Sequence, residues 1–151
     1  MITQTADMEF IKSVVANEKV WPHVSDDNSG KPGDFMPPES LLYLEASDNG
    51  DRVGFFAISA INSICCEIHT TMLPTAWGKT LIYTAEVLDW IFSNTGFLKV
   101  ITFVPETNKK ALNLAIKSGL SVEGFLANSF IKNGKLIGQH VLGINRGDVC
   151  H

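Results

Sequence analysis

Apolar positions change their period several times along the chain, and each change marks an element. Thr5 opens a predicted helix with Asp7 and Glu9 in its first turn, where acids suit the helix dipole. Phe10, Ile11, Val14 and Val15 follow as an apolar stripe at helical spacing, and Trp21 and His23 lie just past it. Residues 25–38 (SDDNSGKPGDFMPP) hold two Gly, three Pro, three Asp and one Asn, and read as a loop. Residues 40–46 (SLLYLEA), 53–60 (VGFFAISA) and 64–73 (ICCEIHTTML) read as strands. A turn at residues 47–51 (SDNGD) joins the first two, and Asn62-Ser63 is short enough for a hairpin between the others.

The helical period returns at residues 79–94, through Leu81, Ala85, Leu88, Ile91 and Phe92. Thr95-Gly96 stops it. Residues 99–104 (KVITFV) form a β-branched strand. Thr107 or Asn108 then caps a helix whose face is Ala111, Leu114 and Ala115, ending at Gly119. Residues 123–132 and 135–144 close the chain as a hairpin around Asn133-Gly134, the strongest two-residue turn signal. The strands before Lys79 and at Lys99 are joined by a helix, so they pair in parallel by a right-handed crossover. The remaining strands are antiparallel. The expected class is α/β, a mixed, mostly antiparallel sheet with flanking helices, in one domain over residues 1–151.

Composition narrows the function. With 151 residues, 12 Lys+Arg and 16 Asp+Glu, the formal charge is −4. No cationic block rescues phosphate-backbone binding, so a nucleic-acid partner is not expected. Residues 53–61 are too short an apolar run to cross a bilayer. The start, MITQTADMEF, has no basic or apolar signal core, and a cytoplasmic protein without a membrane partner is expected. The three cysteines, Cys65, Cys66 and Cys150, make no disulfide framework. Glu67 and His69 share a strand face, but two groups do not make a zinc site, and no metal is expected. Gly78-Lys79-Thr80 resembles the end of a P-loop, but Leu73 stands where that motif needs its first glycine. No G-x-S-x-G occurs, which argues against a serine hydrolase.

Two motifs carry a family resemblance. Leu73-Pro74-Thr75-Ala76-Trp77-Gly78-Lys79 (LPTAWGK), followed by Thr84-Ala85-Glu86, is similar to the P-x-x-W-G-K-G-x-x-x-E-A signature. Asn108 with Ala111, Lys117, Ser118, Gly119 and Leu120, then Val122-Glu123-Gly124, is similar to N-x-x-A/S-x-x-x-x-x-K-x-G-F and x-E-G. In order and spacing these resemble the ribosomal-protein-acetyltransferase-like branch of the GNAT (GCN5-related N-acetyltransferase) superfamily, over most of residues 41–144. In overall texture the chain also resembles small phage-encoded GNAT-like proteins, some associated with virion or head assembly.

The resemblance implies acetyl-CoA as co-substrate, a primary amine on a small molecule or peptide as acceptor, and direct transfer. It implies that the central parallel strands splay and that the pantetheine arm pairs with the freed edges, at Met72 and Leu73 on one side and Phe103 and Val104 on the other. Asn108 would bond the arm, beside Ala111. The pyrophosphate would meet the strand-to-helix loop through Ala76, Trp77, Gly78, Lys79, Thr80 and Leu81, where unpaired N–H groups and the helix dipole favour an anion. The pattern departs from the family at Thr75 and at Thr80, which replaces a glycine. Ala115 stands where many members carry a tyrosine acid.

Odd positions of residues 64–73 share a face: Cys65, Glu67, His69 and Thr71. Acetyl transfer needs a neutral amine, and a lysine-type amine near pKa ~10.4 is mostly protonated at neutral pH. Glu67 is the expected base, with His69 as partner or substitute; a half-exposed strand face is the plain alternative. His23 and Trp21 are candidates for the acceptor pocket, against simple packing under the loop. Asp26 and Asp27 fit a solvated loop or attraction of a cationic acceptor. Tyr83 reads as packing or surface, and Cys66 as a buried thiol. The second function class is a GNAT-like fold kept for binding or virion assembly, with little catalysis. The sequence leaves the oligomeric state open, and the terminal hairpin could pair between subunits in a homodimer.

Overall fold

The structure is a computed structural model that describes residues 1–149. Seven strands form one sheet in the order β1-β2-β3-β4-β5-β7-β6. They are β1 (Ile2–Thr5), β2 (Leu42–Asp48), β3 (Asp51–Ala60), β4 (Cys65–Met72), β5 (Lys99–Pro105), β6 (Ser121–Lys132) and β7 (Lys135–Asn145). The helices are α1 (Met8–Val15), α2 (Trp21–Val24), α3 (Thr80–Asn94) and α4 (Lys109–Lys117). Among the described residues only β4 and β5 pair in parallel; the other neighbours are antiparallel. Cys150 lies outside the described residues.

The turn chemistry works as the pattern implies. Asn49-Gly50 joins β2 to β3 and Asn133-Gly134 joins β6 to β7, and all four residues have positive φ. That is the backbone a two-residue hairpin needs to match strand twist. Between β3 and β4, the Asn62 side chain accepts from the N–H groups of Ile64 and Cys65, closing the bend.

β3 explains the layering. Phe56 and Ile58 join a core with Val87, Leu88 and Ile91 of α3 and Val100 of β5. Their neighbours Phe55 and Ala57 join a second cluster with Ile11, Val14 and Val15 of α1. The strand's two-residue period thus feeds helices on both faces. Gly54 is required here: a Cβ would sit 2.6 Å from the Thr71 carbonyl oxygen of β4.

Three expectations are corrected. Residues 2–5 form β1, paired to β2, instead of leading into the helix. The cap of α1 is Asp7, whose Oδ1 accepts from Phe10 N at 3.1 Å, while Thr5 Oγ1 accepts from Asp7 N. In α3 the buried stripe is Thr80, Tyr83, Thr84, Val87, Leu88, Ile91 and Phe92, with Leu81 and Ala85 exposed. The stripe is rotated because Tyr83 is a large packing residue, 4% exposed. Among the described residues no helix is long and apolar enough to cross a membrane.

Candidate active site

β4 and β5 pair at three rungs, Cys65 with Lys99, Cys66 with Val100, and Glu67 with Ile101. Beyond that rung the two strands part. β4 continues to Met72 paired with β3, and β5 continues to Pro105 paired with β7. At the fork the Thr102 hydroxyl donates to the Ile68 carbonyl at 3.2 Å, which stands in for the missing ladder bond. A cleft of about 660 Å³ opens there. Its walls are residues 67–71 of β4, residues 102–105 of β5, and Asn108, Ala111 and Ala115 of α4.

Glu67 and His69 enter the cleft together, with His69 Nε2 3.1 Å from Glu67 Oε2. The Glu67 side chain is 22% exposed and that of His69 53%. Their shared face follows from strand alternation, with Cys66 and Ile68 turned into the core. Cys66 is fully buried. Burial, with Cys65 alongside, pushes its thiol up to about 12, so it offers no thiolate nucleophile. Phe103, Val104, Asn108 and Ala111 line the same cleft. Asn108 caps α4, its Oδ1 accepting from Ala111 N at 3.2 Å. The Asn108 amide nitrogen is left as a donor at the cleft wall.

The Met72 carbonyl and both backbone groups of Leu73 are already hydrogen-bonded within the protein. The Trp77 indole N–H donates to the Met72 carbonyl at 2.9 Å. Leu73 N donates to Val53 O, and Leu73 O accepts from Ala76 N. Thr70 and Thr71 face the cleft in their place. The expected loop before the second long helix is instead a 3-10 turn, Pro74–Lys79, running directly into α3. Ala76 is buried there, while Trp77, Gly78, Lys79 and Leu81 are exposed. The Lys79 ammonium pairs with Asp48 at 2.5 Å, which holds its pKa above the usual lysine value. The Thr80 hydroxyl is buried and donates to the Ala76 and Trp77 carbonyls. Both side chains are therefore engaged within the protein.

Two features of this turn remain open to an anion. No side chain caps the N-terminus of α3. A Cβ built on Gly78 meets nothing within 4 Å, so packing does not demand glycine there. The space beside that backbone is free for close approach by a phosphate.

The cleft mouth combines expected and unexpected residues. Trp21 and His23 line it, and the His23 ring stands edge-on to Trp77 at 5.6 Å. Phe35, Tyr43, Phe55 and Phe130 line it too. The 25–38 loop is fastened to the last hairpin. Asp27 accepts from Asn133 N and Gly134 N, both at 2.7 Å, and Lys132 Nζ donates to the Pro22 and Ser25 carbonyls at 2.8 and 2.6 Å. Nothing local in the sequence signals partners more than a hundred positions apart. Among the described residues no three His, Cys, Asp or Glu side chains cluster to hold a metal ion.

The fold matches the spermidine N-acetyltransferase from Vibrio cholerae solved with CoA and spermine, at a TM-score of 0.78 and 19% identity, over 98% of this chain and 97% of that one. A mutant of the same SpeG enzyme matches at 0.79 and 18% identity, over 100% of this chain and 98% of that one. This establishes the acyl-CoA N-acyltransferase fold. Protein p31 of Acyrthosiphon pisum secondary endosymbiont phage 1 is 32% identical over 75 residues, 49% of this chain and 48% of that protein. The aligned part is thus about half of the phage protein's length. Residues 4–150 match the family model described as protein of unknown function DUF2824, and the chain belongs to that family.

Proposed function

We propose that the chain is an N-acetyltransferase, in the ribosomal-protein-acetyltransferase-like branch, that passes an acetyl group from acetyl-CoA to a primary amine by direct transfer. The observation that carries this reading is the parting of β4 and β5 after the Glu67–Ile101 rung, over a cleft that holds Glu67 and His69. A fork of this kind leaves two strand edges facing a gap.

Acetyl-CoA supplies the thioester. The amine nitrogen bonds to the acetyl carbonyl carbon, the carbon–sulfur bond breaks, and one proton passes from the amine to the departing thiolate. Glu67 takes the proton from the incoming ammonium, and His69 holds that carboxylate at the fork. The edges at Ile68–Thr71 and at Phe103 and Val104 flank the pantetheine arm, and the Asn108 amide nitrogen donates to it. The open backbone face at Gly78 and the start of α3 receive the pyrophosphate. Ala115 lines the cleft and carries no proton, so the thiolate is protonated through water.

A second reading has its own support. The Trp77 bond to Met72, the Lys79–Asp48 pair and the buried Thr80 hydroxyl each withdraw a group from the coenzyme side. Together with the likeness to a phage protein, they favour a fold kept for binding or virion assembly. In either case the outer edge of β6, with Val122, Phe125 and Leu126 exposed, is our proposed homodimer contact. Melting with acetyl-CoA separates the two readings, since a ligand of the native state raises the transition temperature by mass action. The enzyme shows a shift and releases CoA on an amine panel. A shift without CoA release selects binding alone.

A further inference from the structure

Resting on that reading of the cleft, we infer that its acceptor is a primary amine carried on an apolar or aromatic body, with one positive charge, and not a polyamine. The carboxylates decide this. Among the described residues lining the cleft, Glu67 is the only acid. The 25–38 loop has three more, and each is oriented by hydrogen bonds from nearby donors. Asp26 accepts from Asn28 N and the Ser29 hydroxyl, Asp27 from Asn133 N and Gly134 N, and Asp34 from Lys31 N. None of the three lines the cleft.

The cleft that holds Glu67 is lined instead by Trp21, Phe35, Leu41, Tyr43, Phe55 and Phe130. Tyr43 and Phe55 pack edge to face at 5.9 Å and are each 3% exposed. They form a wall, not a cage of ring faces around a cation. The Tyr43 hydroxyl is also engaged, donating to the Pro38 carbonyl at 2.7 Å. A polyamine has several ammonium groups spaced along its length. Only one could meet Glu67; the others would lose water against rings that offer no counter-charge. An arylalkylamine places its one ammonium at Glu67 and its ring against this wall. The ring then gains from burial where a second charge would lose. A single carboxylate beside an apolar wall therefore selects by penalising extra charge.

The test titrates phenethylamine, spermidine and a short peptide with N-terminal phenylalanine into the intact protein. Tryptophan fluorescence reads binding, and CoA release with acetyl-CoA present reads transfer. The expected result is that phenethylamine or the peptide binds at least about tenfold more tightly than spermidine. Whichever is tighter tells a free amine from a chain terminus. In Phe35→Glu, a loop variant that adds a second carboxylate at the mouth, the preference moves toward spermidine. Equal or tighter binding of spermidine by the unaltered protein, or no saturable binding of either apolar amine at millimolar concentration, overturns the inference. If acetyl-CoA neither binds nor yields CoA while phenethylamine still titrates, the transferase reading falls and the apolar-amine site stands.

Discussion

Glu67 of β4 faces Ile101 of β5 at the last rung the two parallel strands share, so the proposed base sits where the sheet opens. The placement has a chemical consequence. One residue earlier, Cys66 is buried in a closed ladder, and one residue later the Ile68 carbonyl takes its bond from a side chain. Glu67 is thus anchored by regular pairing on one side and borders open cleft on the other.

Glu67→Gln should lower turnover by about a hundredfold or more, the scale of lost general-base catalysis. The acetyl-CoA melting shift should stay unchanged. His69→Ala should cost less, because it removes a partner and not the base. Steady-state CoA release with a thermal melt checks both. Equal turnover in Glu67→Gln removes that residue from the mechanism.

Asn108 separates two roles in one side chain. Asn108→Ala loses the cap on Ala111 N and should destabilise by about 1 kcal/mol. It should also weaken acetyl-CoA binding. Asn108→Asp keeps a carboxylate oxygen for the cap but has no amide N–H. It should hold its melting temperature and still bind acetyl-CoA less tightly. Calorimetric titration and melting of both variants read the two effects apart.

Gly78→Ala is expected to leave stability nearly unchanged, since the added Cβ meets no protein atom within 4 Å. Acetyl-CoA affinity should fall, because the methyl enters the space assigned to phosphate. Gly54→Ala is the contrast. It drives a Cβ against the Thr71 backbone of β4 and should destabilise severely.

Alkaline pH tests the core. The buried Cys66 thiol is pushed up to about 12 from an ordinary value of 9.0. The unfolded chain ionises first, so it binds fewer protons than the folded chain across that window. This stability is fully present below pH 9.0 and is lost toward about 12, by at most about 1.4 kcal/mol per pH unit. Burial also raises the Tyr43 hydroxyl, which adds a loss in the same direction at higher pH. Cys66→Ala should flatten the early part of the fall in melting temperature, starting from a lower value because of the cavity it leaves.

The fold was legible wherever the period of apolar residues was long or bounded by strong turn chemistry. Residues 79–94 read as a helix, and the Asn-Gly pairs set the β2–β3 and β6–β7 hairpins. β1 was missed because Ile2–Thr5 is short and half exposed, and exists through pairing to β2. The buried face of α3 was misread because Leu81 and Ala85 looked as apolar as Tyr83 and Val87; only packing against the sheet chooses between them. At the site, Glu67 and His69 were legible as a pair because two-residue spacing fixes a shared strand face. The fates of Met72, Lys79 and Thr80 were not. Trp77 reaches the Met72 carbonyl through the fold of the 3-10 turn, and Asp48 reaches Lys79 across 31 positions. No local pattern encodes either contact.

Amide hydrogen exchange with and without acetyl-CoA tests the central claim most directly. The account expects saturable protection at residues 68–71 and 102–104, where the strands have parted, with little change at the closed rungs from Cys65 to Glu67. No protection there at saturating acetyl-CoA, or protection confined to the outer surface around Asp48, Lys79 and Glu86, would contradict it.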